Sequence, residues 1–390
     1  MESSTSLLPS QWSNLPLDIL ELVSNRLDHD GSSDTVDLIC LRSVCATWRL
    51  FLPLSDNNNN KNNSPFSKFP KYLPFWSSSS SSTSGFFILK QSSVYKLEAP
   101  LMNPSTWLVK LQETTSPGKM RVLDLFSNDR ISFLPEKFPE NIDLQEFHVR
   151  LVRRAYRMEY ANNGGGEMSS CFWSLNSEKV VILSSGESSK SALMAIHSGG
   201  KLGFLKSGNE ERWRILDHSW NVIYEDIILY REENCCIVVD DKGKTVIYDL
   251  DFKVSDLADG LVGGGGHKKH LVERPGGEVL LVDKYVKHVW SISENSKSAV
   301  EFRVYKLKRE EKRWEEVREL GDVALFIGDD CSYSVQIPAG DFAGGCIFYK
   351  DYRNGGRSRG VCCDGDGLFN VDFEMQGDFV FPIKPKCFGP

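Results

Sequence analysis

Val238-Val239-Asp240-Asp241-Lys242-Gly243-Lys244-Thr245-Val246-Ile247-Tyr248 is two runs of branched and aromatic residues around a polar turn, D-D-K-G-K. Such runs favour a pleated strand, and Asp and Gly supply the reversal, so the segment reads as a β-hairpin. Similar material recurs on either side. Val94-Tyr95-Lys96-Leu97 is followed by Trp107-Leu108-Val109-Lys110-Leu111, Gly203-Phe204-Leu205-Lys206 by Trp213-Arg214-Ile215-Leu216, and Val304-Tyr305-Lys306-Leu307 by Trp314-Glu315-Glu316-Val317. The three tryptophans are spaced by roughly 100 residues, about twice the ~40–50 of a propeller blade, so each copy marks every second blade. They are expected to pack the blades rather than to serve as ligand platforms. The ~320 residues from Phe69 onward then make a six- or seven-bladed β-propeller at that period. A pair of β-sandwiches is the alternative; evenly repeated hairpins favour radial closure, which protects most strand edges.

The first part of the chain has a different period. Ser13 or Asn14 caps a helix with Pro16 near its first position, and Ile19, Leu20, Val23 and Leu27 form one apolar stripe. After His29-Asp30-Gly31-Ser32-Ser33, a second helical segment starts near Asp34 and leads to Val44, Cys45, Trp48 and Leu52. Fewer than ~45 residues in two or three helices close only a small core, so these faces are expected to lie against a partner helix. Two low-complexity tracts, Asp56–Ser64 and Ser77–Ser84, bury too little to offset their ordering entropy, and both are expected to be disordered. A domain boundary falls near residues 55–68.

Composition narrows the function. The 390 residues carry 46 Lys+Arg against 53 Asp+Glu, a net charge of −7. No cationic excess exists for sequence-independent polyanion binding, so nucleic acid is not expected as a partner. The amino terminus lacks the basic-then-apolar signature of a secretory leader, and no stretch reaches the ~18 apolar residues that span a bilayer. No membrane partner and a nuclear or cytoplasmic location are therefore expected. In such a compartment the 10 cysteines stay thiols, and the adjacent pairs Cys235-Cys236 and Cys362-Cys363 point to opposite strand faces, which suits burial better than metal ligation.

Motifs for chemistry are sparse. Gly243-Lys244-Thr245 ends like a phosphate-binding loop, but Val238 stands where its first glycine is needed. Asp364-Gly365-Asp366-Gly367 begins like a calcium loop, yet Leu368 and Met375 occupy ligand positions. No H-E-x-x-H occurs. No catalytic residue, cofactor or metal is expected. Lys306–Arg313, KLKREEKR, reads as a solvated hairpin, and His267-Lys268-Lys269-His270 after four glycines reads as a flexible loop. Binding residues tend to sit on loops of a rigid scaffold, and cations on a negative background steer acidic partners. Lys268 and Lys269, with the turn carrying Arg353, Arg357 and Arg359, are the candidate substrate-binding cations.

Leu15-Pro16-Leu17-Asp18-Ile19-Leu20-Glu21-Leu22-Val23-Ser24-Asn25-Arg26-Leu27, continued by Leu41-Arg42-Ser43-Val44-Cys45-Ala46-Thr47-Trp48-Arg49, resembles an F-box. It departs from that family in the longer link at Asp28–Asp34. Gly321–Gly328, Cys331–Val335, Gly345–Tyr349 and Tyr224–Asp251 resemble plant F-box proteins with a C-terminal kelch-like domain of unknown function. The resemblance implies a small all-α F-box module at 12–53 after a disordered 1–11, an Asn-rich linker at 54–68, and a mainly-β propeller domain at 69–390. It further implies that Leu15, Pro16, Ile19, Leu20, Val23, Leu27, Val44 and Trp48 bind a Skp-type adaptor, some of them packing internally. Through the adaptor the chain would join a cullin-RING ubiquitin ligase, with the propeller recruiting a protein substrate and no catalysis of its own. The alternatives are a propeller enzyme or ligand-binding protein with its site in the central channel, and a structural propeller with a degenerate F-box.

Overall fold

The computed structural model describes residues 15–16, 18–20, 22, 41–42, 44–51, 72–73, 85–98, 106–114, 119–131, 147–162, 179–184, 191–197, 199–207, 213–216, 221–230, 233–288, 298–337, 344–352, 357–363, 369–374 and 381–382. Both low-complexity tracts, most of residues 52–84 and the Asp364–Gly367 turn lie outside them. Among the described residues no helix is long and apolar enough to cross a membrane.

Apart from α1 (Ala46–Phe51) and the helical residues 18–20, 22 and 41–42, the described elements are strands. β1 (Tyr72–Leu73) pairs with the long β2 (Gly85–Glu98), which lies between β3 (Thr106–Glu113) and β5 (His148–Asn162); β4 (Met120–Leu123) pairs with β3. Three antiparallel meanders of four strands follow. They are β6 (Lys179–Ser184), β7 (Ser191–His197), β8 (Lys201–Lys206) and β9 (Arg214–Ile215); then β10 (Tyr224–Tyr230), β11 (Cys235–Asp240), β12 (Thr245–Tyr248) and β13 (Val254–Ala258); then β14 (Lys268–Glu273), β15 (Val279–His288), β16 (Ser298–Lys308) and β17 (Arg313–Val317). The last unit is less regular. β18 (Val323–Ile327) forms a hairpin with β19 (Ser332–Gln336) and runs parallel to β20 (Cys346–Asp351), which continues antiparallel through β21 (Arg357–Cys363) and β22 (Phe369–Glu374). β23 (Phe381–Pro382) returns to pair with β3.

Strand alternation decides between sandwich and propeller. Successive side chains point to opposite faces, and a sandwich buries one face of each sheet. Here both are buried. On β11, Cys236 and Val238 join a core with β6, β7 and β8, while Cys235, Ile237 and Val239 join another with β14 and β15. On β18, Ala324 and Phe326 face β2, β3 and β5, while Val323, Leu325 and Ile327 face β15 and β16. A fifth core, with Phe87, Leu89 and Met158 against Val180, Ile182 and Leu193, joins the long ribbon to the first meander. The cores thus run from sheet to sheet and return to the first, which is radial packing.

Local chemistry shapes the turns as read. In the 238–248 hairpin, Asp240 Oδ1 accepts the Lys242 and Lys244 N–H groups, and Gly243 takes φ +85°. A Cβ at Gly243 would also stand 2.8 Å from Leu261 Cγ. Asp249 repeats the device, accepting from Asp251 and Lys253, but there Phe252 holds the left-handed position at φ +63°. Its ring lies 3.8 Å from that of Phe204, and this packing offsets the backbone strain. Lys306–Arg313 is the expected hairpin, with Lys308 paired to Glu315.

Two expectations are corrected. Cys346 and Cys362 are cross-strand partners with Cα atoms 4.6 Å apart and form a disulfide, so these two are not thiols. Cys235, Cys236 and Cys331 are buried thiols; burial pushes Cys235 up to about 11 and Cys331 up to about 12. Lys268–His270 is not a flexible loop but the first half of β14, laddered to Lys284, Asp283 and Val282.

Candidate functional site

In the amino-terminal module, the Leu20 N–H donates to the Pro16 carbonyl at 3.1 Å, setting the first turn where proline needs no donor. Leu20 and Trp48 are buried and pack with Leu15, Leu41, Cys45 and Phe51. The two pieces of the motif, far apart in sequence, are thereby clamped together. Pro16, Ile19 and Val44 point outward, joined by two residues that sequence reasoning missed, Leu22 at 63% and Leu50 at 86% exposure. A small two-sided core explains the division, because only one side of each helix can be covered internally. The outer side offers apolar surface to a partner. Val23 and Leu27 lie outside the described residues.

A second assembly occupies the β domain, where charged side chains of different sheets meet in the interior. Lys110 on β3 is fully buried, and its Nζ donates to Asp330 Oδ1 and Oδ2 at 2.8 and 2.7 Å and to the Ser127 carbonyl at 2.7 Å. Asp330 is brought there by a turn whose Gly328 is pressed against Phe126: an added Cβ would lie 2.9 Å from the Phe126 carbonyl oxygen. Lys179, first residue of β6, lies 2.7 Å from Asp226 Oδ1, while Asp226 Oδ2 accepts the Leu271 N–H of β14 at 2.7 Å. One carboxylate therefore ties three sheets. Lys350 donates to Asp124 and Asp129, which hold its pKa above the ordinary value although burial opposes them.

The candidate substrate-binding cations part company. Lys268 is half-buried. Lys269 is fully buried, 3.5 Å from Asp283 Oδ1 on β15, and so presents no charge to a protein partner. Strand alternation is the reason: Lys269 points to the face of β14 that Leu271 packs against β10 and β11, the face opposite Lys268 and His270. Arg359 on β21 is part-buried and 3.7 Å from Asp351, Arg357 begins the same strand, and Arg353 is outside the described residues. Lys268 and Lys269 on β14 are separated from Arg357 and Arg359 on β21 by β15, β16 and β22 of the same sheet, and do not form one described patch.

The three tryptophans occupy different units. Trp107 is buried opposite Leu97, and Trp314 is half-buried opposite Leu307. Trp314 donates its Nε1–H to the Gly243 carbonyl of the neighbouring meander at 3.0 Å. Trp213 packs, half-buried, beside β8; one full meander without a copy separates it from Trp314 but none separates it from Trp107, so the copies do not mark every second unit as expected. Among the described residues no three His, Cys, Asp or Glu side chains cluster to hold a metal ion.

Comparison with known proteins extends these observations. The family described as KIB1-4 beta-propeller matches residues 86–370. A protein of Arabidopsis thaliana named for an F-box is 80% identical over 387 residues, spanning 99% of this chain and 100% of the relative. The Arabidopsis F-box protein SKIP23 is 31% identical over 400 residues, 92% of this chain and 89% of its own. A further F-box protein of the same plant is 28% identical over 370 residues, 88% and 84%.

Proposed function

The chain belongs to the plant F-box proteins that carry a KIB1-4 beta-propeller, and from that premise we propose that it is the substrate-receptor subunit of a Skp-cullin-F-box ubiquitin ligase. The outward apolar side of the F-box docks the Skp-type adaptor, and the propeller recruits a protein for ubiquitination. Ubiquitin transfer takes place elsewhere in the complex, so the chain needs no catalytic residue. The observation that carries the reading is the division of the F-box: Leu20 and Trp48 hold its two pieces together, while Pro16, Ile19, Leu22, Val44 and Leu50 face away from that core. Uncovered apolar side chains on so small a module gain most by burial against another protein.

The test is co-purification with the adaptor. Ile19→Ala with Leu22→Ala is expected to weaken capture at least tenfold, since anchors at an interface centre cost about 1–2 kcal/mol or more each when truncated. Thermal melting of the β domain is expected to stay unchanged. Undiminished capture by the folded variant would sink the assignment.

A further inference from the structure

The second piece of the F-box motif bends in its middle: between the helical residues 41–42 and α1, Val44 and Cys45 leave the helical path. A helix end leaves its last carbonyls without partners inside the helix. That need arises on both sides of the bend, at the carbonyl of Arg42, the last described residue of the first segment, and at the carbonyl of Arg49, in the last turn of α1.

Each arginine answers for the other. Arg42 Nη1 donates to the Arg49 carbonyl at 2.8 Å, and Arg49 Nε donates back to the Arg42 carbonyl at 3.4 Å, across seven residues of chain. Within the bend, the Val44 N–H donates to the Leu41 carbonyl at 3.2 Å, and Cys45 Sγ accepts the Trp48 N–H at 3.5 Å, capping α1 where serine or threonine usually stands. The angle between the two segments is thus held twice: by the core that Leu20 and Trp48 form with Leu41, Cys45 and Phe51, and by the exposed pair of guanidinium bonds.

The bend also carries part of the uncovered apolar surface. Val44, 38% exposed, lies in it, and Leu50, 86% exposed, lies on α1. Their relative placement therefore follows the angle that the arginines hold. A hydrogen bond in solvent adds little to the fold, but a surface already held in its docking geometry gives up less freedom on binding.

We propose that Arg42 and Arg49 are positioning residues for adaptor docking: their reciprocal clamp fixes the angle between residues 41–42 and α1 and so aligns Val44 with Leu50. This rests on the adaptor-docking reading given above. The role is geometric rather than ionic, since the acceptors are carbonyls of the same module. Lysine is no equivalent at position 49, because it carries a methylene where arginine carries its Nε–H. A loosened bend populates the docking geometry less often and slows capture in proportion; once bound, the adaptor itself holds the bend.

The experiment follows association and dissociation of the full-length chain on immobilised Skp-type adaptor at low and high salt. Arg42→Gln, Arg49→Gln and the charge-conserving Arg49→Lys are each expected to slow association by about threefold or more, with dissociation and salt dependence as in the parent chain. Arg42→Gln with Arg49→Gln is expected to slow it by no more than about twofold further, because one clamp is broken in every case. The melting midpoint and the Trp48 indole resonance are expected to stay in place. Parent-like association of Arg49→Gln overturns the proposal. So does a parent-like Arg49→Lys beside a slowed Arg49→Gln, which would assign the effect to charge, and so does a displaced Trp48 resonance in the slowed variants, which would assign it to the core. Ile19→Ala with Leu22→Ala separates the two readings. If that variant binds like the parent, the docking surface is misassigned and the clamp falls with it; if it loses capture while the arginine variants bind like the parent, only the clamp fails.

Discussion

Lys110 shows what a single buried charge contributes. With no exposure and three acceptors within 2.8 Å, its ammonium exists in the interior only because Asp330, 220 residues away, comes to meet it. A buried pair is weak evidence of net stability, but breaking one side leaves an uncompensated charge. Lys110→Met is therefore expected to cost about 3–5 kcal/mol in denaturant unfolding, and Lys110→Met with Asp330→Leu to recover most of it. Equal losses in the single and double variants would show that the residue's role is packing alone. Nothing local foretold this pair. Lys110 alternates in phase with Leu108, and its chemistry is set by a turn from the far end of the chain.

At the scale of elements, the repeated strand-turn-Trp pattern yields related but unequal packing. Trp107 lies deep in the core between β3 and β5, whereas Trp213 and Trp314 are half-covered at the margins of their meanders. Trp107→Ala is expected to cost about 3–5 kcal/mol and Trp213→Ala clearly less, because the penalty follows the contacts and cavity left behind. Unfolding midpoints of the two variants, measured side by side, check the order; equal costs would contradict the packing described. The turns were legible for a different reason. Asp240 and Gly243 carry their own geometry in side-chain oxygen and backbone freedom, and no distant residue needs to be known.

For the whole molecule, closure is the central fact. The ladder from β23 to β3 pairs Phe381 with Leu108 and Pro382 with Trp107, tying the last described strand to the first sheet. Removing residues 376–390 is expected to lower stability by about 1–3 kcal/mol, the net worth of two or so ladder hydrogen bonds, while leaving the strand content of circular dichroism largely intact. A truncated chain that melts like the full one would show that the apolar cores alone hold the ring. The radial stacking also explains why β11, β15 and β18 read as unbroken apolar runs rather than alternating ones: each has a neighbouring sheet on both faces.

The sequence by itself determined the local periods: helical before residue 52, pleated from residue 86, with hairpins punctuated by Asp and Gly. It also carried the two pieces of the F-box, whose residue types at fixed helical steps are a local signal. Only the tertiary structure decided which side of those helices is covered, leaving Leu22 and Leu50 outside and Leu20 and Trp48 within. It alone decided that Lys269 is sealed against Asp283 and that Lys179 meets Asp226. The physical reason is range. Propensity and alternation act over a few residues of one strand, whereas burial and charge pairing are settled when sheets far apart in sequence dock face to face.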